Sequence, residues 1–151
     1  MTATSTSSVS NSRFRYGNPS VECNGAELHK QCRQLATVLT ITGAIDEVNV
    51  ALVVEQAKGC IIAEKPFILD LSGVTSFAAP AIALLDAIDE ACFAAGDEWS
   101  LIASQQVSRT LRLCGVDEVF PATASVPEAL HHFSDVAGER RRILPILTKS
   151  A

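Results

Sequence analysis

Apolar and polar residues alternate along Thr37 to Ile45, TVLTITGAI, and β-branched residues dominate. A period of two with that composition predicts a strand, and Gly43 near its end suggests a close turn. Glu27 to Leu35 alternates more weakly and is the candidate strand before it. The period then lengthens. Val50, Val53, Val54 and Ala57 fall at helical spacing and predict a helix from about Val50 to Ala63. Either Asp46 or Asn49 is placed to cap it. Phe67 to Leu71, FILDL, is a short apolar run after Pro66 and reads as a buried strand.

From Pro80 to Ala95 the helical period returns. Ile82, Leu85, Ile88, Cys92 and Phe93 line one side, Asp86, Asp89 and Glu90 the other, and Gly96 is placed to end the helix. Trp99 to Ala103 predicts a strand. Gln105 to Cys114 predicts a helix, with Val107, Leu111 and Cys114 on one face and Gly115 at its end. Val119 and Phe120 form a short strand or a turn. Val126 to Phe133 is the last helix, with Pro127 in its first turn. Two opening strands followed by alternating helix and strand make an α/β domain with a mixed, partly parallel sheet and helices on at least one face.

Composition narrows this picture. A chain of 151 residues, 48% of them hydrophobic, is one domain with a real core and some tail. Residues 1–12, MTATSTSSVSNS, are too polar to offset their ordering entropy and are expected to be disordered. The domain proper is expected over 13–137. A basic C-terminal tail, 138–151, carries Arg140, Arg141 and Arg142, either a solvated end or a patch for an acidic partner. The net charge of -5 argues against a general nucleic-acid binder, which needs a basic face to displace phosphate counterions. No apolar run approaches the roughly 20 residues of a membrane helix, and the N-terminus has no secretory pattern. Direct membrane insertion is therefore not expected. Five scattered cysteines without a CxxC pair read as small core residues in a reducing cytoplasm. His29, His131 and His132 do not complete a metal-ligand spacing with them.

Catalytic and cofactor motifs are missing. Neither GxGxxG nor GxxxxGK[ST] occurs, so no phosphate loop and no cofactor are expected. G-x-S-x-G is absent too. Asp46 and Asp70 are each placed at the C-terminal end of a predicted strand, where parallel sheets bind ligands. Capping and turn formation account for both equally simply. No enzyme constellation emerges, and a non-catalytic role is expected.

Three stretches in order resemble one family. TITGAID (40–46), FILDLSGVTSF (67–77) and VSRTLRLCGVDEVFPATASVPEAL (107–130) are similar to the STAS domain of bacterial anti-sigma factor antagonists. The resemblance runs from about Thr37 to Phe133. It implies a STAS-like single α/β domain: a mixed, mostly parallel sheet of four to five strands with about four helices. It also implies a cytoplasmic regulator whose partner is an anti-sigma factor of the kinase type. In that family the second helix opens on Asp-Ser-Ser-Gly-Leu, and the kinase phosphorylates a serine there. The added charge of about -1.5 to -2 at a packed interface ends binding. Other members of the family serve membrane transporters, which leaves an accessory or regulatory subunit of a transporter as the alternative.

This chain departs at that turn. Aligned without a gap, Ala78, Ala79, Pro80 and Ala81 fall on Asp, Ser, Ser and Gly, with Pro80 nearest the phosphoacceptor. None of them can accept phosphate. Pro80 still suits a first helical turn. The expected partner surface is Ala78 to Ala81 flanked by Phe77, Ala83, Asp46 and Asn49, unless the N-terminal segment packs over it. Three outcomes stay open: constitutive binding, control through Ser72, Thr75 or Ser76, or control by a thiol pair such as Cys92 and Cys114.

Overall fold

The computed structural model describes residues 20–136. Its first strand, β1 (Ser20–Cys23), turns through Asn24 and Gly25 into β2 (Ala26–Cys32). Both turn residues have positive φ, 46° and 109°. A two-residue hairpin requires this, and Asn-Gly tolerates it at least cost. Then follow β3 (Thr37–Ile45), α1 (Val50–Lys58), β4 (Phe67–Phe77), a single 3-10 turn (Ala79–Ala81), α2 (Ile82–Ala95), β5 (Trp99–Ala103) and α3 (Gln105–Leu113). Residues 126–136 form α4.

The five strands lie in sequence order in one sheet. β1, β2 and β3 pair antiparallel, while β3, β4 and β5 pair parallel. The parallel pairs are those whose crossovers contain helices, α1 and then α2, as parallel connections need. This is the single mixed α/β sheet with four helices that the family resemblance implies.

Burial explains the sequence pattern. Phe67, Leu69 and Leu71 of β4 face α1, α2 and α3, sharing a core with Leu39, Ile41, Val53, Leu84, Leu85 and Leu111. Ile68 faces the other way, into a smaller core with Val38, Ile102, Ala129 and Phe133 of α4. A strand covered on both faces has no polar side, hence the apolar run Phe67 to Leu69 ahead of the half-buried Asp70.

Four expectations are corrected. β1 was not anticipated. α1 stops at Lys58, short of Ala63: after the cap, Gly59, the Cys60 and Ile61 N–H groups turn to the carbonyls of Ala57 and Lys58, three residues back, in place of the helical bond. Phe93 is 88% exposed, since α2 buries Leu84, Leu85, Ile88 and Cys92 instead. Cys114 caps α3 and is exposed. The expected tails, 1–12 and 138–151, lie outside the described residues.

Candidate partner-binding surface

The surface is built where β3 and β4 end. β4 runs past Leu71 to Phe77, so Ser72, Thr75 and Ser76 belong to a strand and not to a turn. Two register shifts carry it there. Thr40 pairs with Asp70 but Thr42 with Gly73, and Gly43 pairs with Val74 but Ala44 with Ser76. Each shift gives β4 one residue more than β3, as in a bulge. The inward spacing therefore widens from two to three: Leu71, Val74 and Phe77 are buried, while Ser72, Gly73, Thr75 and Ser76 are exposed. Gly73 is required at the first shift, because a Cβ there would stand 2.7 Å from Thr42 Cγ2.

The end of β4 is held from two sides. The Ala78 N–H donates to the Ile45 carbonyl at 3.1 Å, joining the ends of β3 and β4. The Thr110 hydroxyl of α3 donates to the Phe77 carbonyl at 2.6 Å. The chain then enters α2 without a side-chain cap at either Ala78 or Ala81. Backbone geometry compensates. Pro80 has no N–H to satisfy, Ala81 N–H donates to the Ala78 carbonyl at 2.8 Å, and Ile82 N–H reaches the carbonyls of Ala79 and Pro80.

Among the expected surface residues, Ala79, Pro80 and Ala83 are exposed and Ala78 is half-buried. Ala81 is fully buried and Phe77 is 5% exposed, so both pack the core instead of facing a partner. Asn49 is likewise interior, at 1% exposure. Its amide nitrogen donates to the carbonyls of Cys23, Asn24 and Ala44 at 2.9–3.1 Å, and its Oδ1 accepts the Asp46 N–H at 2.9 Å. Asn49 thereby ties the β1–β2 hairpin turn to the end of β3. Gly43 lies under that junction with φ 96°, where a Cβ would collide with the Gly25 carbonyl at 2.3 Å. Asp46 is half-buried, and its Oδ1 accepts from Val48 and Asn49 N–H at 2.9 and 3.1 Å.

Val48, not among the expected surface residues, is 76% exposed on the same edge. Its signal was a lone valine between Glu47 and the α1 start, outside any period. Val48, Ala79, Pro80 and Ala83 give an apolar, small-residue surface beside the hydroxyls of Thr75 and Ser76. The Thr75 hydroxyl donates to the Gly43 carbonyl at 3.2 Å, and the Ser72 N–H donates to Asp70 Oδ1 at 3.0 Å.

The two candidate carboxylates do not converge: Asp70 sits inside β4, level with Thr40, and Asp46 lies roughly 20 Å further along β3. The thiol route also weakens. Cys92 is fully buried, and burial, then Asp97 and Asp89, push its thiol up to about 12. A thiol that stays protonated is a poor redox nucleophile. No helix among the described residues is long and apolar enough to cross a membrane.

The STAS domain family model matches residues 27–129, and the chain belongs to that family. Osmosensory protein A of Mycobacterium tuberculosis (strain ATCC 25618 / H37Rv) is 39% identical over 142 residues, 91% of this chain and 90% of that protein. The crystal structure of an anti-sigma factor antagonist from Mycobacterium paratuberculosis matches with a TM-score of 0.59 at 23% identity, over 72% of this chain and 94% of that one. SLC26A9 matches with a TM-score of 0.57 at 18% identity, over 74% of this chain but 22% of that one. The last two are likenesses of fold.

Proposed function

We propose that this protein is a non-catalytic anti-sigma factor antagonist that binds a kinase-type anti-sigma factor through Val48, Ala79, Pro80 and Ala83, with no phosphate switch at the start of α2. It would act in the cytoplasm on transcription. One observation carries this reading: the mouth of α2 presents hydrocarbon and a proline ring at a well-formed, exposed helix start. A partner's backbone can approach such a surface closely, and no residue from Ala78 to Ala81 can be esterified.

Capture experiments with the anti-sigma factors of the source organism, with and without ATP, test it. One of them should bind, ATP should not release it, and residues 78–81 should stay unlabelled. Phosphate on Ser72, Thr75 or Ser76 with release of the partner would end the constitutive reading. Absence of binding to every anti-sigma factor would end the whole assignment. The name of the 39% identical relative suggests an osmotic input. Capture from cells at low and high osmolarity would reveal one as a difference in partner occupancy. A second reading, an accessory of a membrane transporter, is supported by the likeness to SLC26A9 in fold. Co-purification with a transporter and no anti-sigma factor would select it.

A further inference from the structure

At the opposite end of the parallel strands, three adjoining hollows of about 510, 720 and 440 Å³ run from the Lys65–Pro66 loop across the start of β5 to the flanks of α2 and α4. They share walls: Glu98 and Phe133 border the first two, Asp89 and Trp99 the last two, and Asp97 the first and third. The walls are strongly acidic. Among the described residues, Lys65 is the one Lys or Arg in these linings, against Glu64, Asp89, Glu90, Asp97, Glu98 and further glutamates. Part of that charge is engaged. Asp89 Oδ1 accepts the Trp99 indole N–H at 2.9 Å, His132 Nε2 lies 3.6 Å from Glu98 Oε1, and Asp97 Oδ1 accepts the Lys65 N–H at 2.8 Å. Asp97 Oδ2 is buried and has no donor among the described residues. An unpaired buried carboxylate oxygen costs more than a made bond returns, so this wall has a place for a donor that the described residues do not fill. The groove is also apolar: Phe93, 88% exposed, stands on the third hollow, and Phe133 and Val136 line the first.

The chain carries a segment with the matching chemistry. Val136, the last described residue of α4, is itself part of the first hollow's wall. Residues 137–151 follow, reading AGERRRILPILTKSA, with Arg140, Arg141 and Arg142, then Ile143, Leu144, Ile146 and Leu147, then Lys149. Four residues of extended chain span up to about 14 Å, so Arg140 needs no long excursion to meet Asp97 and Glu98. Planar guanidinium groups pair with carboxylates and stack on aromatic faces, and the apolar run behind them matches Phe93. We infer that the basic-apolar C-terminal segment 137–151 docks in cis into this acidic, aromatic groove, at the end of the sheet away from the proposed partner surface. The inference is independent of the identity of that partner.

The test uses the full chain and a full-length R140E/R141E/R142E variant, compared by amide NMR and hydrogen exchange. In the variant, signals of Gly96, Glu98 and Phe133 should shift, and protection around 96–98 should fall about threefold, the range of partly exposed ion pairs. About 0.5 M salt should move the unaltered protein in the same direction. Adding E64K/E98K to the triple variant should restore much of the original pattern, since the charges are then exchanged. Spectra of the unaltered and triple-variant proteins that superimpose in the groove would overturn the inference. So would a difference that grows with protein concentration, which would mark the tail of a second copy, or a double set of substitutions that fails to restore the pattern.

Discussion

The starts of α2 and α4 solve one problem in opposite ways. At α4 the Ser125 hydroxyl accepts the Glu128 N–H at 3.2 Å, and the Glu128 carboxylate reaches back to the Ala124 N–H at 3.0 Å. That pair resembles a capping box, with the carboxylate reaching one residue ahead of the cap. α3 opens similarly, with Ser104 Oγ accepting the Val107 N–H at 3.2 Å. α2 opens with no side-chain acceptor, and its backbone closes on itself through a 3-10 turn around Pro80. The same chain therefore caps α3 and α4 with serine and leaves α2 to its backbone. At the starts of α1 and α2, which follow the ends of β3 and β4, no side chain caps the helix. The difference separates two demands on a helix start, holding the backbone and presenting a surface, which a capping serine would serve together.

Substitutions at these helix starts test the contrast. The largest effect belongs to the α1 mouth, where Asn49 occupies the cap position but turns its amide inward. Asn49→Ala removes the donor from the buried Cys23 carbonyl bond and from the part-buried bonds to Asn24 and Ala44, and should cost about 3 kcal/mol in denaturant unfolding. A loss below about 1 kcal/mol would show that water replaces the amide and that the hairpin is not latched there. Next, Ser104→Ala and Ser125→Ala should each lower stability by about 1 kcal/mol, read as a drop in melting temperature. Thr110→Val should cost a similar amount by freeing the Phe77 carbonyl. It should also weaken partner capture, because it loosens the end of β4. Smallest in stability is the A79S/P80S double substitution, expected within about 0.5 kcal/mol of the parent. It should nevertheless become a phosphate acceptor for the partner kinase and lose binding once labelled. If it is not labelled, the ungapped placement of Pro80 on the phosphoacceptor is wrong.

Much of this was legible in the residues. TVLTITGAI announced β3 because that strand keeps its alternation until Gly43. The α3 and α4 helices declared themselves by Val107 and Leu111 and by Pro127. The bare mouth of α2 followed from the identities of Ala78 to Ala81. What escaped did so for definite reasons. β1 is only four residues, SVEC, too short for a period to show, although Asn24–Gly25 between alternating apolar and polar residues is a strong hairpin signal. The outer half of β4 was taken for a turn because its two register shifts convert a period of two into a period of three, which strand templates do not contain. Phe93 was placed inside because helical spacing alone cannot say where an apolar stripe ends. The roles of Asn49 and Asp46 were half legible: either could cap, and in the fold one braces a distant hairpin while the other closes the local turn. Val48 gave no periodic signal at all.

The stretched rhythm of β4 has a consequence for how this region can change over generations. Ser72, Thr75 and Ser76 can drift in identity, since their side chains leave the sheet. Their number cannot drift, because strand neighbours point to opposite faces. Loss of a single residue between Leu71 and Phe77 would swing Val74 or Phe77 out into water and a hydroxyl into the core. Relatives should therefore vary in spelling there while holding the count constant, and an inserted or deleted codon at that place should be purged as a folding defect.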